Sequence, residues 1–298
     1  MRTFRPTPED AGRRLDLFLA EQLALSRAQV RRLLARGAVT VDGRPAAAND
    51  KGAPLPAGST VEVAPHERPD DQRAIPEPDV AIRVLAEGPG WLALDKPAGT
   101  PVHPLAEDER GTLLGAVIAR HPGIQGIGEK GLRSGVVHRL DVDTSGCLVL
   151  ATEPTTWQRL RDAFAEHRVT KVYRALVAGR VEAGSIEVGL AMARHRPARV
   201  RVVDAAEAER SRSVRITETS WKPIEHRGDT SLVEIRPRTG HLHQIRVTFA
   251  HLGHPLLGDR TYAPPKIAAR APRHLLHAAE LRFEEIAASA AMPADWPH

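Results

Sequence analysis

The chain has 298 residues, 42% of them hydrophobic and 27% charged, which is ordinary for a globular protein large enough for two domains. It has no run of about 18 apolar residues and no apolar stretch near its start, which excludes a membrane span and a signal peptide and favours the cytoplasm. The single cysteine, Cys147, excludes an intramolecular disulfide and a multi-cysteine metal site.

The positive charge is carried mainly by arginine. The net charge is +5, the pI is about 9.8, and only six of the 42 basic side chains are lysine. Arginine binds phosphate through two parallel hydrogen bonds, so this composition suits a nucleic-acid partner. A GC-rich genome would also enrich arginine, so composition alone leaves both explanations open.

Residues 11–64 are predicted to form a compact unit that contains two short helices. Ser26 and Gln29 have the spacing of a capping box, which predicts that the second helix covers residues 27–36. Gly37 is placed to end that helix. The first helix is indicated by an apolar pattern at Leu15, Leu17, Phe18, Leu23 and Leu25.

A strand pair is predicted after these helices. Val39–Val41 reads as a strand, Asp42 and Gly43 form a hairpin-type turn, and Val61–Val63 returns as a second strand. The helix over 27–36 bears arginines on the side away from its apolar face. In length and order this unit resembles the alpha-L RNA-binding module of a ribosomal small-subunit protein. The resemblance implies that Arg27, Arg31 and Arg32 contact RNA.

Residues 65–79 are rich in proline and mixed charge, which predicts an extended linker. A second domain over 80–298 follows. It should contain strands and helices in irregular order, so we expect an α+β fold with a mixed, mainly antiparallel sheet. The predicted strands cover 82–85, 91–94, 169–177 and 231–235, the helices 113–120 and 157–167, a turn 95–99, and a helix or strand-to-helix turn 244–252.

The most informative segment of the second domain is a short polar loop between two apolar runs. Val136 and Val137 precede the loop, Asp141 lies within it, and residues 147–151 read as a strand that follows it. Such a position presents a carboxylate at a strand end beside the cationic Arg139. Asp143, two residues further on, is assigned a turn-forming role.

Three segments in this order resemble the RluA-type family of pseudouridine synthases. They are the loop from His138 to Leu150, the segment from Lys171 to Val177, and the segment from Arg238 to Asp259. Further matches, at residues 96–99, 103–104 and 276–283, extend the resemblance over about residues 80–285. An alpha-L module in front is a familiar arrangement in that family.

The resemblance implies a pseudouridine synthase fold with a small N-terminal α/β RNA-binding domain. It implies that uridine in RNA is isomerised by breaking its nitrogen glycosidic bond, turning the uracil, and rejoining it through carbon 5. No cofactor and no metal are expected. Asp141 is the expected catalytic carboxylate, and whether it acts at the sugar or at the base stays open. Arg246 is its expected cationic partner, and Tyr173 the residue that packs on the target base and helps to remove the carbon-5 proton.

A base stacked in RNA must be turned out before it can reach Asp141. Arg139 is expected to fill the space that it leaves. The sequence departs from the family at Val142, at Cys147, at Thr248-Phe249, and at His241, where arginine is usual. Because none of these is Asp141, Tyr173 or Arg246, they bear on substrate choice more than on activity.

Two other functions remain open on the sequence alone. The chain could be a non-catalytic RNA-binding or ribosome-assembly factor. It could also be a metal-dependent hydrolase that uses the sequence cluster His241, His243, His251 and His254. For the synthase, large-subunit ribosomal RNA is favoured as substrate over transfer RNA, and a monomer is the expected state.

Overall fold

The computed structural model describes residues 1–65 and 70–296, and the chain divides into two compact units, Met1–Arg68 and Pro69–His298. Residues 66–69 of the predicted linker lie outside the described part. The rest of that linker has no helix or strand. Within the larger unit Ala74 is buried, and Glu77 accepts hydrogen bonds from the backbone of Gly111 and Thr112. No helix in the described residues is long and apolar enough to cross a membrane.

The smaller unit combines two helices with a four-stranded antiparallel sheet of order β1-β4-β2-β3. Both sequence-predicted helices are present, and the Ser26 and Gln29 capping box forms as expected. Asp42 and Gly43 both have positive φ, as a tight hairpin turn requires. The elements are β1 (Arg2–Phe4), α1 (Leu15–Leu23), α2 (Arg27–Ala35), β2 (Val39–Val41), β3 (Arg44–Pro45) and β4 (Val61–Val63).

The larger unit is built on a ten-stranded sheet. Nine strands follow the order β10-β9-β11-β12-β8-β13-β7-β6-β5, and β14 pairs with β13. Strands β7 and β13 run parallel, while the other described pairs are antiparallel, so the expectation of a mainly antiparallel sheet is confirmed. The strands are β5 (Arg83–Gly88), β6 (Trp91–Lys96), β7 (Ser145–Ala151), β8 (Thr170–Ala178), β9 (Gly184–His195), β10 (Ala198–Val203), β11 (Arg215–Arg227), β12 (Thr230–Pro237), β13 (Leu276–Phe283) and β14 (Ile286–Ser289).

Apolar layers cover both faces of the sheet at β7. Cys147 and Val149 belong to a cluster that includes Leu160, whereas Leu148 and Leu150 belong to one that includes Leu114. Because alternate side chains of a strand point to opposite faces, β7 is buried on both sides and fixes the loop that enters it. The helices of this unit are α3 (Leu113–Arg120), α4 (Pro154–Ala165), α5 (Ala205–Arg210), α6 (Gln244–His251) and α7 (Pro265–Ala268).

Two sequence-based expectations need correction. The predicted turn over 95–99 starts later, because Asp95 and Lys96 still pair with Cys147 and Gly146 of β7. The stretch 184–227, where we predicted no element, contains the long strands β9, β10 and β11. Segment 244–252, left open between two structures, is the helix α6.

Candidate active site

Asp141 lies in the loop that leads into β7, and its side chain is 21% exposed. A turn closes the loop, since the Thr144 amide donates to the Asp141 carbonyl at 3.1 Å. At Gly146, φ is +107° and an added Cβ would lie 2.1 Å from the Ala278 carbonyl oxygen of β13. Glycine is therefore required where the end of the loop meets the parallel strand.

Lys96 anchors this loop through its buried amine. Its side chain is fully buried, and Nζ donates to the carbonyls of Pro97, Thr100 and Val142 at 2.8, 2.8 and 2.7 Å. The Gly99 amide also donates to the Val142 carbonyl. Burial lowers the pKa of Lys96 to about 8, against the opposing charges of Asp143 and Asp141. Lys96 thus ties the residue next to Asp141 to the end of β6.

Two buried histidines hold the other side of the loop. Thr144 Oγ1 and His274 Nε2 are 2.9 Å apart, and Ser145 Oγ and His277 Nδ1 are also 2.9 Å apart. Burial lowers the pKa of His274 to about 4, so this ring is neutral at pH 7. The loop is therefore held at the Val142 carbonyl on one side and at two side-chain hydroxyls on the other. The Asp141 side chain binds Arg246.

Arg246 joins two carboxylates. From α6, its Nε and Nη2 bind Asp259 at 2.8 and 2.9 Å, and its Nη1 binds Asp141 Oδ2 at 2.9 Å. Nη2 also donates to Thr261 Oγ1, and the guanidinium lies 5.4 Å from the ring centroid of Tyr262. The Arg246 side chain is 8% exposed and that of Asp259 is fully buried. This bidentate pair with Asp259 holds the guanidinium in one orientation.

The pKa shifts of this pair agree with the geometry. Burial alone would raise the pKa of Asp259, but the hydrogen bonds and charge of Arg246 outweigh it and leave the pKa lowered. Burial opposes the charged form of Arg246 as well, and the two carboxylates reverse this, so its pKa is raised. Both groups are therefore ionised at neutral pH.

Tyr173 lies on β8, where it pairs in register with Ile235 and Ala278. Burial raises the pKa of its hydroxyl, and the charge of Asp141 raises it further. The phenol is neutral at pH 7, and it makes no hydrogen bond to another described residue. The structure thus brings together Asp141, Tyr173 and Arg246, the three residues that the sequence grouped.

The predicted RNA-contacting residues occupy two different settings. Arg139 is exposed and forms no ion pair with the described residues. Arg31 and Arg32 are exposed on α2 and likewise have no ion-pair partner there. Arg27 differs, because its Nη2 lies 3.2 Å from the buried carboxylate of Asp16.

The histidines that suggested a metal site do not converge. Among the described residues no group of three or more His, Cys, Asp or Glu side chains could hold a metal ion. His254 Nδ1 instead lies 2.9 Å from the Ala178 carbonyl, His251 is exposed, and His243 lies against Tyr262.

Sequence reasoning missed several residues of this site. It assigned no role to Lys96 or Asp259, although both lie within the segments that carried the resemblance. It treated His243 only as one of four clustered histidines. A buried charge is visible only once its environment is known, and no local pattern marks Lys96 or Asp259 as buried.

Comparison with known proteins shows which protein family this chain resembles. Residues 90–251 match RNA pseudouridylate synthase, and residues 13–51 match the S4 domain. An uncharacterized RNA pseudouridine synthase of Chloroflexus aurantiacus is 37% identical, over 97% of this chain and 89% of its own length. The ribosomal large subunit pseudouridine synthase D of Zymomonas mobilis is 33% identical, over 93% and 87%. Human RNA pseudouridylate synthase domain containing 1 is similar in structure, with 26% identity, a TM-score of 0.56, and coverage of 72% of this chain and 83% of that one.

Proposed function

The chain belongs to the RNA pseudouridylate synthase family and carries an N-terminal S4 RNA-binding domain, so it isomerises uridine in RNA, and we propose that Asp141 is the carboxylate that performs this reaction. The observation that carries the proposal is the bridge made by Arg246, which binds Asp141 at 2.9 Å and the buried Asp259 at 2.8 Å. The bridge holds one carboxylate in an accessible position beside a fixed positive charge.

The bridge leaves one oxygen of Asp141 available. Oδ2 accepts from Arg246, whereas Oδ1 has no hydrogen-bond donor among the described residues. A charge-assisted hydrogen bond from a rigid donor orients the carboxylate and offsets the cost of its partial burial. Oδ1 is then the oxygen that acts on the substrate. In the reaction the bond from uracil N1 to the sugar breaks, the bond from C5 to the same sugar carbon forms, C5 loses its proton and N1 gains one.

We assign the substrate-facing roles to Tyr173 and Arg139. Tyr173 is neutral, lies near enough to Asp141 to respond to its charge, and offers an aromatic ring for packing against uracil. Arg139 is exposed two residues from Asp141, where it can occupy the space of a base turned out of its stack. Base flipping is required because a stacked uridine cannot bring its glycosidic bond to Asp141.

We propose large-subunit ribosomal RNA as the substrate class, ahead of transfer RNA. Support comes from relatives named ribosomal large subunit pseudouridine synthase D in Zymomonas mobilis and Pasteurella multocida, which match this chain over 93% and 91% of its length. Arg27, Arg31 and Arg32 of the S4 domain would bind the RNA backbone. We further propose that the enzyme acts as a monomer in the cytoplasm. The domain boundaries 11–64, 65–79 and 80–298 also remain a proposal.

Replacing Asp141 by asparagine tests the catalytic proposal, because the amide keeps the size of the side chain and removes its charge. We expect Asp141→Asn to bind RNA as the wild type does and to form no pseudouridine. Asp143→Asn is the matched control, since Asp143 is a partly exposed carboxylate of the same loop that is not bonded to Arg246. Wild-type product formation by Asp141→Asn would overturn the assignment.

Mapping of pseudouridine at single-nucleotide resolution tests the substrate proposal. RNA from cells with and without this protein should differ at one or more uridines of large-subunit ribosomal RNA. A loss confined to transfer RNA would contradict the substrate class. An unchanged map in every RNA would favour the alternative of a non-catalytic ribosome-assembly factor.

A further inference from the structure

We infer that His243 is a positioning residue for Asp141, with its ring held in one neutral tautomer by Tyr262. This inference rests on the proposed role of Asp141 and deepens it. His243 Nε2 lies 3.9 Å from Asp141 Oδ2, the same oxygen that Arg246 binds. The His243 side chain is 12% exposed, so the ring lies largely inside the site.

The tautomer follows from a chain of three hydrogen-bonding groups. The backbone N–H of Val200 on β10 donates to the Tyr262 hydroxyl at 3.0 Å. The same hydroxyl lies 2.9 Å from His243 Nδ1. The hydroxyl accepts from Val200 and has no other acceptor for its proton among the described residues, so we assign it as the donor to Nδ1.

A neutral imidazole carries one proton. If Nδ1 accepts from Tyr262, the proton sits on Nε2 and faces Asp141. Burial lowers the pKa of His243, with the Arg246 charge acting in the same direction and the charges of Asp141 and Asp259 opposing it. The neutral form required by this arrangement is therefore the form expected at pH 7.

The backbone at His243 supports a dedicated role. Its φ is +53° and its ψ is 17°, the left-handed region, at the residue that precedes α6. Residues other than glycine are uncommon in this conformation, and such positions cluster at functional sites. Arg246, in the first turn of α6, binds the oxygen of Asp141 that His243 Nε2 faces, so both groups come from the start of one helix.

The consequence is a division of labour between the two oxygens of Asp141. Arg246 and His243 both lie on the Oδ2 side, and Oδ1 is left to the substrate. His243 therefore restricts rotation of the carboxylate and keeps the reactive oxygen facing the substrate. Its 3.9 Å separation from Oδ2 exceeds a hydrogen bond, and we expect it to shorten when RNA closes the site.

Nitrogen-15 NMR of histidine-labelled wild-type protein tests the tautomer directly. We expect His243 to carry its proton on Nε2 at pH 7, and we expect Tyr262→Phe to abolish that single state. Tyr262→Phe keeps the ring beside Arg246, so the fold should be retained. A proton on Nδ1, or a doubly protonated ring at pH 7, would overturn the inference.

Single-turnover kinetics at saturating RNA test the consequence. His243→Leu should lower the rate about 10- to 100-fold, as the loss of one donor to a charged group predicts, with RNA affinity unchanged. His243→Gln, which restores a neutral N–H donor, should recover part of that loss. A wild-type rate in His243→Leu, or a loss of affinity that accounts for the whole effect, would overturn the role.

The outcomes separate this inference from the function on which it rests. An inactive Asp141→Asn together with a fully active His243→Leu would remove the role of His243 and leave Asp141 in place. An active Asp141→Asn would remove the catalytic assignment itself, whatever tautomer His243 adopts.

Discussion

Arginine side chains have different roles in the two units of this enzyme. In the larger unit, Arg246 is 8% exposed and donates hydrogen bonds to Asp259, Asp141 and Thr261. In the S4 domain, Arg31 and Arg32 are exposed, and neither has an ion-pair partner among the described residues. The same side chain is thus bonded within the protein in one place and open in the other.

The difference shows that the partners of an arginine indicate its task better than its position in a motif does. A guanidinium whose donors are taken within the protein fixes geometry and has nothing left for a phosphate. A guanidinium without internal partners is free to bind phosphate and to release counterions from RNA. Arg27 lies between these cases, because it pairs with the buried Asp16 while its side chain is 56% exposed.

The largest expected effect follows from breaking the buried pair. Asp259→Asn leaves Arg246 charged in the interior with Asp141 as its remaining carboxylate, which should lower the free energy of unfolding by about 3–5 kcal/mol. Asp295→Asn is the matched control, because Asp295 pairs with Arg273 at 3.0 Å but is 56% exposed. Asp295→Asn should lower the free energy of unfolding by less than about 1 kcal/mol. Equal losses in urea denaturation would contradict the distinction between buried and exposed pairs.

The next largest effect is expected at the buried Lys96, which holds the loop of the catalytic residue. Lys96→Met removes the hydrogen bond to Val142 in the loop of Asp141 and two more to the adjoining turn, at Pro97 and Thr100. We therefore expect the single-turnover rate to fall about 10- to 100-fold at unchanged RNA affinity. Lys222→Met, at a side chain that is 64% exposed, should leave the rate unchanged. A full rate in Lys96→Met would show that the loop needs no anchor at Val142.

The open arginines should give a smaller effect, confined to RNA affinity. Replacing Arg31 and Arg32 together by alanine should weaken RNA binding about 10-fold, and it should reduce the slope of log affinity against log salt by about 1.4–1.8. Arg13→Ala is the control from the same domain, because Arg13 is already paired with Asp10 and Glu21. An equal change in slope for both variants would contradict a role for unpaired arginines.

The smallest effect concerns pH. Burial lowers the pKa of Lys96 in the folded state to about 8 from an ordinary value of 10.5. Between these values the unfolded chain holds the proton that the folded chain has released, so stability rises with pH in that window. The free energy of unfolding of the wild type, relative to Lys96→Met, should increase by about 1 kcal/mol from pH 8 to pH 9. A constant or falling difference would mean that Lys96 keeps its proton.

Local features of the structure were predictable from the sequence, and long-range ones were not. The capping box at Ser26 and the helix Leu113–Arg120 depend on neighbouring residues, and both form as predicted. Strands β9–β11 were not predicted, although apolar residues alternate in β9 at Ile186, Val188 and Leu190 and in β10 at Val200 and Val202. Their order in the sheet comes only from the tertiary fold. Asp259 could not be recognised because its burial and its pairing with Arg246 come from the tertiary fold.

The most direct test measures the single-turnover rate and the RNA affinity of two variants on one RNA, one at the buried Arg246 and one at the exposed arginines of the S4 domain. Arg246→Lys should lower the single-turnover rate at saturation about 100-fold, because lysine cannot make both contacts, and should leave the dissociation constant unchanged. The variant that carries both Arg31→Ala and Arg32→Ala should do the reverse, with a wild-type rate and weaker binding. If Arg246→Lys weakens binding at an unchanged rate, or if the double variant slows the reaction at saturation, the division of labour between the two units is wrong.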